Sequence, residues 1–161
     1  PVYALRIGMS ANYAALLLFI GAAGAALLQI PIGWLADYLN PRIVLVICSL
    51  GGLAGTMIWP FITSYQYLLW ITLFLWWGFF AGVYTLAMIL AGKWFKGSDL
   101  ATAMASFGVF WGIGGFFGPM VGGLSMDLWD PHGLPLTLVI VTGIFTLFSI
   151  FSYFFSLKMK E

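Results

Sequence analysis

The chain has 161 residues, 63% of them hydrophobic and only 7% charged, with a net charge of +1 and a mean hydropathy of +1.06. A water-soluble domain covers its surface with about 25% charged residues, so lipid is the expected solvent for most of this surface. The charge balance and the lack of any Lys/Arg cluster exclude a nucleic-acid partner, and Cys48, the single cysteine, excludes an intrachain disulfide.

Crossing a membrane takes about 20 mostly apolar residues in helical form. The first run of that kind covers 12–34 and carries Gln29, its most polar deep side chain, and Pro31. A short link follows, "LADYLNPR", whose only charges are Asp37 and Arg42. The second run, 43–62, contains Cys48, read as a small packing residue, and the small-residue spacing Gly51/Gly55. The third, 67–92, contains Gly78/Gly82 and ends at the basic link with Lys93 and Lys96. The fourth, 100–126, reads "FGVFWGIGGFFGPMVGG" at its centre, with Gly108/Gly112, Gly114/Gly118/Gly122 and Pro119. After the loop "DLWDPHG", the fifth covers 134–156 and runs into the basic tail with Lys158 and Lys160. Barrel strands would be about half as long and would alternate polar with apolar residues. The expected fold is therefore an all-α polytopic membrane protein with five transmembrane helices, each satisfying its own backbone in lipid.

Charges divide by side. Alternate links place Arg42, Lys93, Lys96, Lys158 and Lys160 together, against Arg6 alone with Asp127, Asp130 and His132. The positive-inside rule makes the first side cytoplasmic, with the N-terminus outside and the C-terminus inside. Trp59, Trp94 and Trp129 near span ends suit interfacial anchoring. The four-residue glycine spacings on three helices predict close helix approach. Proline inside a span removes a backbone donor and bends the helix; Pro31 and Pro119, with Gly114, Gly118 and Gly122, are therefore read as packing and bending positions.

Gln29 either lines a solute path or bonds a neighbouring helix. On the third span, Trp77, Tyr84 and Met88 share one face at i, i+7 and i+11. On the fourth, Phe107 and Trp111 lie one turn apart. In a chain that is 19% aromatic these side chains suit packing or lipid contact first, and contact with an apolar or aromatic solute second. No Asp, Glu, Lys, Arg or His lies deep in any span, where such groups mark ion pathways. Asp127, Asp130 and His132 lie in a short, proline-turned loop and read as solvated residues rather than metal ligands. No nucleophile–base pair, phosphate loop or dinucleotide fingerprint is present, so neither an enzyme nor a cofactor is expected.

The segment "GWLADYLNPR" resembles the cytoplasmic signature of the major facilitator superfamily, G-x-L-x-D followed by basic residues. Gly33, Leu35, Asp37 and Arg42 match it; Tyr38 and Asn40-Pro41 depart from it. "GGFFGPMVGG" resembles a glycine–proline helix of the same family, and "GKWFKGSDLATAMA" the cytoplasmic link before that helix. The order of these segments resembles the eighth through twelfth helices of a twelve-helix transporter, with "PVYALRIGMS" as the outer link after the seventh. The resemblance covers the whole chain. It implies the C-terminal portion of a secondary permease or exporter that moves a small solute by alternating access. Its implied partners are the lipid bilayer, the N-terminal half of the same transporter and a small-molecule substrate, with H+ or another coupling ion. The implied location is the bacterial inner membrane. Residues Gly33, Leu35, Asp37 and Arg42 become a cytoplasmic gate motif, and Gln29, Trp77, Tyr84, Met88, Phe107 and Trp111 the substrate-path candidates. The alternative is a non-transporting membrane sensor or assembly subunit that keeps the fold.

Overall fold

The structure is a computed structural model that describes residues 2–158; Lys160 lies outside the described residues. Six α-helices follow in order: α1 (Val2–Arg6), α2 (Ala11–Tyr38), α3 (Pro41–Ile58), α4 (Gln66–Trp94), α5 (Gly97–Leu128) and α6 (Gly133–Lys158). A 3-10 turn, Trp59–Phe61, prolongs α3. Helices α2 to α6 are each long and apolar enough to cross a membrane. They extend a few residues past the apolar runs at most ends, because polar caps and basic residues continue the helix into the interface.

The short α1 is an addition to the sequence reading, which took 1–10 as a plain link. It closes with a left-handed glycine, Gly8 at φ +85°. The Gly8 N–H donates to the Leu5 carbonyl (3.0 Å) and the Met9 N–H to the Ala4 carbonyl (2.9 Å). That pair of bonds is the Schellman arrangement, which satisfies the last carbonyls of a helix. Met9 packs against the core cluster that includes Ala4, Ala14 and Leu17. Two residues later Ser10 caps α2, its hydroxyl accepting the Tyr13 N–H at 3.3 Å.

Helix α4 is the hub. Beside α2, the pairs Gly24/Phe74, Leu28/Gly78 and Ile32/Gly82 advance together, so the two helices run parallel. The contact is so close that a Cβ on Gly24 would strike the Phe74 carbonyl oxygen, and one on Gly78 would strike Leu28. On its other side α4 meets α3, with Phe79 over Gly51 and Trp76 over Gly55. Hydrogen bonds lock both seams. Trp76 Nε1 donates to Thr56 Oγ1 (2.8 Å), and Trp70 Nε1 donates to the Tyr13 hydroxyl (3.1 Å). Cys48 is buried between these helices, near Ile32, Val44 and Leu86.

Helix α6 packs antiparallel on α3 through a buried polar row of Thr142, Thr146 and Ser149. Each hydroxyl donates to a carbonyl four residues earlier, and Thr146 also reaches the Ser49 carbonyl at 3.2 Å. The bond from Thr146 to Ser49 crosses between the helices, and in lipid such a bond ties them together. Among the described residues no buried side-chain polar atom lacks a partner. Helix α5 stands apart. Its buried residues are Gly122 and Met126, both in its last two turns against α6, and it barely touches α4.

Candidate functional site

The link between α2 and α3 is two residues long, Leu39 and Asn40. Asn40 Oδ1 accepts the Arg42 N–H at 3.0 Å and so caps α3. Pro41 occupies the first helical position, where a missing N–H costs nothing. The Asn-Pro pair, which departs from the commoner signature, thus has a local reason: it starts α3 inside a link too short for a separate turn.

Arg42 then crosses the bundle. Its Nη1 donates to the Ser152 carbonyl of α6 at 3.2 Å, and its guanidinium carbon lies 5.1 Å from the centre of the Trp94 ring at the end of α4. The start of α3, the end of α4 and the last turns of α6 meet on this one side chain. The sequence showed Arg42 as an orienting charge and gave no sign of this bridge, since Ser152 is 110 residues away. Asp37 is exposed and makes no hydrogen bond or ion pair among the described residues. Leu35 is exposed as well, and Gly33 has open space where a side chain would sit.

Of the path candidates, the structure brings two together across helices. Tyr84 of α4 and Trp111 of α5 meet edge to face, centroids 5.2 Å apart at 60°. Met88 and Phe107 are half-buried on the same two helices. Trp77, two turns from Tyr84 along α4, lies over Gly21 of α2. Gln29 is exposed and makes no side-chain hydrogen bond among the described residues, and Pro31 lies two residues further on within an unbroken α2. Gly114 and Gly118 face open space, while Gly122 packs against Leu134 of α6.

Trp77, Gly118, Pro119 and Gly122 also border an apolar cavity of about 340 Å³ between α2, α4, α5 and α6. Its walls include Leu17, Trp59, Trp76 and Met126, with Val2, Tyr3 and Ala4 of α1 along one side. Next to it lies a charge cluster that the sequence left as separate loop residues. Arg6 Nη2 donates to Asp127 Oδ1 (2.5 Å) and Nη1 to Asp130 Oδ1 (2.9 Å). The hydrogen bonds that Arg6 donates to Asp127 and then to Asp130 push its pKa up from its ordinary value. The two aspartates thus serve an arginine, and no group of three metal-binding side chains occurs among the described residues. Only charges of opposite sign in separate links were visible in sequence; the pairing spans more than 120 residues.

Five membrane-length apolar helices joined by short polar links define an integral, multi-pass membrane protein. The sequence profile of the Major Facilitator Superfamily matches residues 1–161, and the chain belongs to that family. Its members are transporters rather than enzymes, which work in contact with lipid and a small-molecule substrate. The chain has no match among curated proteins or among solved structures.

Proposed function

We propose that this chain forms the C-terminal part of a secondary transporter, equivalent to helices eight to twelve, and moves a small solute by alternating access. The contact that carries this reading is the Tyr84–Trp111 pair, which joins α4 and α5 at an otherwise sparse junction. Trp77, Tyr84 and Met88 on α4, with Phe107 and Trp111 on α5 and Gln29 on α2, line the solute path. An aromatic wall of this kind favours a solute with apolar or ring surface. The five spans hold no Asp, Glu, Lys, Arg or His at depth. Coupling to H+ or another ion therefore depends on residues in the other half. The N-terminus faces outside and the C-terminus the cytoplasm, in keeping with the distribution of Lys and Arg. On the inner face Arg42 fixes three helix ends, and Asp37, free of partners within the described residues, addresses the opposing half in one gate state. A charge acts on a gate only through the difference in its interactions between the two states.

Alternating access has a direct test at Gln29, exposed deep in α2. In the whole transporter carrying Cys48→Ala, a Gln29→Cys thiol should react with an impermeant maleimide applied from either side, because each state opens the path to one compartment. Reaction from a single side under all conditions would refute the path.

A further inference from the structure

On the outer face α1 forms one wall of the apolar cavity through Val2, Tyr3 and Ala4. It is a single turn, too short to hold its place alone. Two connections fix it. The Schellman corner at Gly8 joins it to α2. At the same C-terminal end Arg6 reaches Asp127 in the last turn of α5 and Asp130 in the turn before α6. One cation thus ties α1 to the end of α5 and to the turn before α6. The two carboxylate side chains are 63% and 60% exposed, and exposed ion pairs are weak and reversible. Such a pair suits a catch better than a permanent brace.

The cavity behind α1 is lined by indole, leucine, methionine and proline surface, with almost no polar wall. A charged guest would lose its hydration there without recompense. An uncharged molecule with one or two rings would not.

We propose that α1 is a strap latched by Arg6 to Asp127 and Asp130, and that release of the latch opens the apolar cavity to uncharged, ring-bearing molecules from the outer face. The direction of access rests on the orientation proposed above; the latch itself does not.

Gly123 borders the cavity and has open space for a side chain, so Gly123→Cys on a Cys48→Ala background is a suitable reporter. The probe is N-phenylmaleimide, uncharged and ring-bearing, compared with a charged methanethiosulfonate reagent. Arg6→Gln should speed N-phenylmaleimide labelling of position 123 roughly two- to five-fold, the scale of a weak exposed ion pair. Asp127→Asn with Asp130→Asn should do the same, and adding Arg6→Gln to that pair should add nothing. The charged reagent should remain slow throughout. Unchanged labelling in Arg6→Gln, or a charged reagent as fast as the neutral one, overturns the proposal. Folding is checked in a second set of proteins that keep Gly123 and the native Cys48, which is buried and therefore unreactive while the helices stay packed. Should Arg6→Gln expose Cys48, the exchanged pair Arg6→Asp with Asp130→Arg carries the test: it must restore wild-type labelling at position 123, and failure to do so refutes the latch. Faster labelling that comes only from the cytoplasmic compartment keeps the latch and refutes the orientation.

Discussion

Arg42 does two things with one side chain. As a positive charge in a short link it contributes to orientation, whatever its geometry. As a planar donor it joins Ser152 of α6 and the Trp94 ring of α4. Lysine keeps the first property and loses the fork and the stacking surface that serve the second. Arg42→Lys should therefore insert with normal orientation yet unfold at lower temperature in detergent, a loss of about 1 kcal/mol given the usual range for a cation over an indole. Arg42→Ala should lose about 1–2 kcal/mol, since the charge-assisted bond to a carbonyl goes as well. Asp37→Asn is the comparison: with no partner among the described residues it should leave the unfolding temperature unchanged. An Arg42→Lys protein as heat-stable as the wild type would show that Arg42 is an orienting charge and nothing more. At this scale the sequence disclosed which residues carry charge and which cap a helix, because those are local properties. It did not disclose that Arg42 meets Ser152 or that Arg6 meets Asp127, because those partners are chosen by helix packing.

The five spans were legible because an apolar run of membrane length has few other solutions. Helix α1 was not, since five residues are too few to show a period and its ends read as a link. Glycine marked where helices can approach closely, though not which neighbour arrives. The fourth span has the richest small-residue spacing, and close packing was expected along it. The tight contacts lie elsewhere, at Gly24 and Gly78 between α2 and α4 and at Gly51 and Gly55 between α3 and α4. Gly108, Gly112, Gly114 and Gly118 of α5 face open space instead. The physical reason is that small residues permit approach by any helix, while topology decides which helix is adjacent. Alanine substitutions separate the two groups. Gly24→Ala pushes a methyl group into the Phe74 carbonyl, backbone that cannot swing aside, and should cost about 1–3 kcal/mol. Gly114→Ala meets nothing in this chain and should be neutral, or more stable by up to ~1 kcal/mol through helix propensity. Thermal unfolding in detergent would show the difference; equal effects at both positions would mean that the α2–α4 seam is looser than described.

The molecule as a whole has two differently built ends. At one, Arg42 gathers α3, α4 and α6, with Lys93 and Lys96 close by in sequence. At the other, a single arginine is matched by two aspartates, so that end carries a net negative charge. The parallel run of α2 with α4 and the antiparallel run of α6 on α3 keep these groups on their own sides. The five-to-one division of Lys and Arg was readable before any coordinates, because it needs only the alternation of spans. Orientation follows from it as a prediction. A His132→Cys thiol, exposed in the α5–α6 turn, should react with an impermeant reagent in intact cells, whereas a Lys93→Cys thiol, also exposed, should react only after the membrane is opened. The cause can be varied as well as the outcome. Lys93→Gln with Lys96→Gln leaves a three-to-one excess on the inner side, and position 132 should stay outside. Extending the replacement to Arg42 and Lys158 leaves one basic residue on each side. With the bias gone, insertion should give both orientations, and position 132 should label from both compartments. Labelling of position 132 from the cytoplasmic side alone in the unaltered protein would invert the whole arrangement, placing the Arg42 junction outside and the Arg6 cluster within.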